Sequence, residues 1–162
     1  MRTSYSLSGF WRGVIIATIF AGTLNILAAF LFDALFQGTP LGLLNGIAAA
    51  AWPALDIGEM ANAVAGLIVH FAIMFAMVAV YFTLAARIRA INRHRWLSGA
   101  VYGLLLWCVM YWAVLPHRFP TMFPVLDPKE VAMQLFSHII LVGLPIAWVA
   151  HRARLWHEVE AW

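Results

Sequence analysis

Charge is what this chain has least of. Asp, Glu, Lys and Arg make up 10% of its 162 residues, and hydrophobic residues 64%, whereas soluble domains carry about 25% charged residues. That balance excludes an ordinary water-soluble core. Cysteine is scarce too: Cys108 stands alone, so no intrachain disulfide can form and no redox compartment follows. The short signatures of soluble enzymes are missing, with no GxSxG, no P-loop, no HExxH and no dinucleotide fingerprint in context. There is no repeat of fixed period, no low-complexity tract and no separable polar domain. The expectation is one transmembrane domain over residues 1–162, not an enzyme.

What the chain has is long apolar runs. Residues 61–86 hold 26 consecutive positions without a formal charge, and a helix crosses a bilayer with about 20. Spans are expected at 14–36, 61–86, 96–116 and 131–150. The fold class is therefore all-α, an integral membrane four-helix bundle. Residues 41–52, LGLLNGIAAAAW, are apolar but too short to span, and read as an interfacial or re-entrant helix between spans one and two. A basic start before an apolar run resembles a signal peptide. The run is too long for one, however, and FQGTP lacks a small-x-small cleavage site, so a retained first span is expected.

Local signals divide these runs. Gly38-Thr-Pro40 should end the first span, Asp56 should cap the second or a turn before it, and Asp127-Pro128 should start the fourth. Pro145 should kink the fourth span. Gly99 and Gly103 have GxxxG spacing, which serves packing within the bundle or between copies of the chain. The same spacing at Gly9 and Gly13 reads as coincidence at the membrane edge, and Cys108 as inert packing. The tail 151–162 is an amphipathic cytoplasmic segment with Trp156 and Trp162 as interface anchors.

The sequence pI near 9.5 raises nucleic-acid binding, but the basic residues flank apolar runs and explain themselves as topology signals. With the N-terminus, residues 87–95 and the tail on one side, that side holds eight of the ten Lys and Arg residues, leaving Arg118 and Lys129 opposite. The positive-inside rule then puts both termini in the cytoplasm. The expected partners are the lipid bilayer and either a second copy or a membrane-complex partner; nucleic acid is not one.

Ionisable groups at membrane depth are costly and need a partner or a purpose. Counting helical rise from the outer ends, His70 lies about 13 Å deep and His138 about 10 Å. Asn25 comes at about 16 Å and Asp33 at about 4 Å. Met110 and Tyr111 reach a similar level, with Arg118 at the rim able to pair with Asp33. Asn62, Gly66, His70, Met74, Met77 and Tyr81 share one stripe of the second span, and Gln134 lies one turn from His138. The expected ligand-binding set is His70, His138, Asn25, Gln134, Asp33 and Tyr111, in a polar pocket facing outward.

Several readings of that set stay open. The residues hydrogen-bond one another and fix helix register; or His70 and His138 hold haem b or a soft metal, with Gly66 making room; or they line a cavity for a lipid, quinone or small solute; or they serve proton-coupled transport or intramembrane hydrolysis. No cofactor is favoured over none. A binding or accessory role without catalysis is the leading expectation.

The blocks GTLNILAAFLFDAL, TPLGLLNGIAAAAW, VHFAIMFAMVAVYF, GAVYGLLLWCVMYWAVLP and HIILVGLPIAWVAHR resemble a group of small, uncharacterised four-helix proteins of the bacterial inner membrane. The resemblance covers most of residues 20–152 and implies fold and location, with no established activity. Family members often have G-x-x-D in the first block where this chain has Asn25 after Gly22. An amide in place of that acid weakens a proton-relay or cation-site reading.

Overall fold

The computed structural model describes residues 7–160, with side chains from Gly9 to Ala153. Four helices are long and apolar enough to cross a membrane, the make-up of a multi-pass membrane protein. They are α1 (Leu7–Leu35), α3 (Glu59–Arg87), α5 (Arg95–Arg118) and α6 (Pro128–Ala153, continuing to Glu160). A short helix, α2 (Pro40–Ala51), separates the first two spans, and one helical turn, α4 (Arg89–Arg93), lies inside the basic connection. At 12 residues, α2 is about 18 Å long, well under the roughly 30 Å of a bilayer core. Trp156 and Trp162 lie outside the residues whose side chains are described.

Each junction follows from short-range chemistry. Asp127 caps α6, its Oδ1 accepting from Lys129 N and Glu130 N at 3.0 and 3.1 Å, with Pro128 in the first turn. Thr39 and Pro40 do the same for α2, where Gly42 N donates to Thr39 Oγ1 at 3.0 Å. Asp56 does not cap α3. The N-cap is Gly58, whose φ of 94° suits a residue without Cβ, and Asn62 folds back on the loop instead, accepting from Ile57 N and donating to Leu55 O.

The bundle has a dense end and a hollow end. At the α4 end, Val14, Ala17, Val78, Phe82, Ile146 and Val149 form a closed core. There Tyr81 Oη donates to Ser98 Oγ (3.0 Å), which donates in turn to Ile91 O (2.9 Å) and binds the α4 turn to α3. Gly13 belongs to this packing, since a Cβ on it would come within 2.7 Å of Phe82 and 2.9 Å of Ala153. Outward-facing positions, among them Ile19, Leu31, Ile68, Val101 and Leu105, are apolar and exposed, as expected of a surface that meets acyl chains. Cys108 is exposed among them rather than packed inside.

Glycines set the closest helix contacts. A Cβ on Gly99 would lie 2.8 Å from both Ala147 Cβ and Gly143 O, and one on Gly103 would overlap the carbonyl oxygen of His138. The Gly99/Gly103 pair therefore joins α5 to α6 within one chain. A Cβ on Gly66 would overlap Leu44 O, so the space beside Gly66 is filled by the backbone of α2 and offers no room for a haem.

Both later spans widen into a π-helix: Met110–Val114 in α5 and Ser137–Gly143 in α6. Each ends just before a proline, Pro116 and Pro145. A proline has no N–H to give and its ring crowds the carbonyl four residues back. The wider turn, with pairing shifted from i−4 to i−5, accommodates that crowding. The expected disturbance at Pro145 thus takes the form of a π segment.

Candidate functional site: an intramembrane cavity

At the α2 end the four spans diverge around a cavity of about 490 Å³. Its walls are mainly apolar: Ile26, Val69, Ile73 and Val142 from the spans, and Leu43 and Ile47 from α2. Phe119, Met122 and Phe123 of the loop 119–127 close one side. Four polar residues reach the cavity: Asn25 from α1, His70 from α3, Tyr111 from α5 and His138 from α6. Volume and character match sites for small molecules, about 300–1,000 Å³ with few placed polar groups.

Each polar side chain is held by a specific contact. His70, 8% exposed, donates from Nε2 to Gly22 O of α1 at 3.0 Å, and its ring meets Phe71 edge-on. His138 donates from Nδ1 to Gln134 O, one turn back on its own helix, at 3.0 Å. Its ring packs edge-on against Tyr111, centroids 5.5 Å apart. Asn25 Nδ2 donates to Ser137 Oγ at 2.8 Å and joins α1 to α6. Tyr111 sits among Trp107, Phe123 and His138, and its hydroxyl has no hydrogen-bond partner among the described residues.

The two histidines thus line one cavity without bonding each other. The carbonyls they bond carry no hydrogen, so the bonded ring nitrogen must be the donor and the other nitrogen of a neutral ring keeps its lone pair. Neither free nitrogen is among the buried polar atoms that lack a partner, so both have open surface, and the cavity is the space their residues line.

Two expected members fall outside the cavity lining. Gln134 turns its amide away and accepts from Trp107 Nε1 at 3.1 Å; it contributes through its backbone carbonyl, which orients His138. Asp33 sits at the end of α1, where its backbone oxygen accepts from Phe36 N and Gly38 N. Nor does Asp33 pair with Arg118. Arg118 Nη2 donates to Ala49 O at 3.5 Å, placing a cation at the C-terminal end of α2, where carbonyls are unsatisfied and the dipole is negative. Sequence reasoning misses Ser137 and the loop aromatics. Ser137 precedes His138 directly, and that adjacency was the only signal for it.

The chain matches no protein-family model, no curated protein and no solved structure. What the molecule does must be read from the cavity.

Proposed function

We propose that this chain is a non-catalytic protein of the bacterial inner membrane, with both termini in the cytoplasm, which binds a small amphipathic molecule in the outward half of its bundle. The orientation rests on the excess of Lys and Arg at the α4 end, and the location on the resemblance of its sequence blocks. The observation that carries the function is the 490 Å³ cavity, apolar in its walls and polar at four fixed points. A binding or accessory subunit, acting alone or beside a membrane partner, is the role this suits.

Gly46 offers a direct test. It lines the cavity, and a Cβ added to it meets nothing within 4 Å. Gly46→Phe should therefore fill the cavity while keeping the melting temperature in detergent. In native mass spectrometry of protein purified from its membrane, the unaltered chain should retain a small non-protein mass that Gly46→Phe lacks. A mass retained equally by both, or by neither, contradicts the cavity as the binding site.

One observation favours a second reading, haem b or a soft metal on His70 and His138. Each ring gives its N–H to a backbone carbonyl, as metal-bound histidines do. Against it, no group of three or more His, Cys, Asp or Glu able to hold a metal occurs among the described residues, and Gly66 is covered by α2. An absorption spectrum and metal analysis of the purified protein separate the two readings.

A further inference from the structure

We infer that the cavity selects a molecule that donates hydrogen bonds: an amphiphile with an aromatic hydroxyl, of the phenol or hydroquinone class, on an apolar tail. This rests on the proposal that the cavity binds a small amphiphile, and adds the chemistry of its head group.

The donors and acceptors that line the cavity point to that head group. His70 is tied through Nε2 and His138 through Nδ1, so the two rings hold opposite tautomers. Each keeps a lone pair on its other nitrogen, Nδ1 on one and Nε2 on the other, and both residues line the cavity. Neither ring forms an ion pair among the described residues, and an uncompensated charge at membrane depth is costly, so both are neutral. Asn25 spends one N–H on Ser137 and keeps its second N–H as a donor and its Oδ1 as an acceptor. The Tyr111 hydroxyl, which can donate or accept, is the remaining polar group in the lining.

A ligand with only carbonyl or ether oxygens would set its lone pairs against two imidazole lone pairs. A ligand hydroxyl donates its one hydrogen to one of them, and the second hydroxyl of a hydroquinone is available to the other. An aromatic head fits because the lining near these groups is soft and polarizable. Met74, Met77 and Met110 supply thioethers, and Tyr111 and Phe123 supply ring faces and edges.

The test compares two probes that differ by one hydrogen-bond donor, 4-decylphenol and its methyl ether 4-decylanisole, titrated calorimetrically into the full-length protein in micelles. The phenol should bind about tenfold tighter, the scale of one well-made hydrogen bond. The ratio of the two affinities should fall toward one in His138→Phe. His70→Asn, which keeps a donor for Gly22 O, serves as the second variant should His138→Phe not fold. Equal affinities in the unaltered protein overturn the inference and leave the cavity proposal standing. Binding of neither probe overturns both. A preference that survives both substitutions overturns the assignment to the imidazoles.

Discussion

Gly103→Val should prevent α5 and α6 from closing, and is expected to be strongly damaging. The atoms that a Cβ at this position would strike are backbone: the carbonyl oxygen of His138, with Ile139 Cα at 2.8 Å and His138 C at 2.9 Å. No side chain can rotate out of the way. Within a bilayer the hydrophobic effect does not drive helices together, so the contact depends on close van der Waals fit and interhelical hydrogen bonds. Overpacking costs about 1–3 kcal/mol and occasionally more, and a branched residue against fixed backbone belongs at the upper end. Melting in detergent should rank the glycines. Gly103→Ala should be worse than Gly99→Ala, whose nearest obstacles stand at 2.8 Å, and Gly46→Ala should be neutral because nothing lies within 4 Å. Because the obstacle is the His138 carbonyl itself, Gly103→Ala should also weaken ligand binding. A Gly103→Ala protein that melts like the original contradicts the backbone contact.

Gly66→Leu should release α2 while leaving the four spans assembled. Its neighbours are again backbone, Leu44 O, Leu44 C at 2.8 Å and Ala48 N at 3.3 Å, but they belong to a helix that does not span. The α5–α6 contact and the dense core at the α4 end do not include α2. The protein should therefore still fold, with a lower melting temperature and an open cavity that no longer holds an amphiphile. Ala48 is 1% exposed, which supplies a readout. In a Cys108→Ser background, Ala48→Cys should resist thiol reagents, and adding Gly66→Leu should make it reactive. Equal protection in both backgrounds would show that α2 does not dock on Gly66.

Length and hydropathy were enough to recognise four spans and a helix too short to cross, because those properties follow from composition alone. The Asp127-Pro128 start was legible for a similar reason: its chemistry is complete within four residues. The common level of His70, His138, Asn25 and Tyr111 came from counting rise, and one cavity does collect all four. Facing was harder. Gln134 does lie one turn from His138, whose Nδ1 donates to its carbonyl, but its amide bonds Trp107 rather than facing the cavity; from Ser137 onward α6 runs as a π segment. The only local hint of that segment is Pro145, and a proline announces a disturbance without saying which kind. Gly66 invites a reading as space for a haem or metal because a sequence shows that a side chain is missing but not what fills the gap. The loop aromatics depend on how residues 119–127 fold over the bundle, and no period encodes that.

An amphiphile should occupy the space between the spans, bounded by α2. Photolabelling with a decylphenol that carries a diazirine on its chain, followed by peptide mapping, tests it most directly. The predicted result is label on cavity residues of separate spans, Met74 and Met77 of α3 and Met110 of α5, lost when Gly46→Phe fills the space. Label confined to the outward residues Ile19, Leu31 and Leu105, or unchanged by Gly46→Phe, would contradict it.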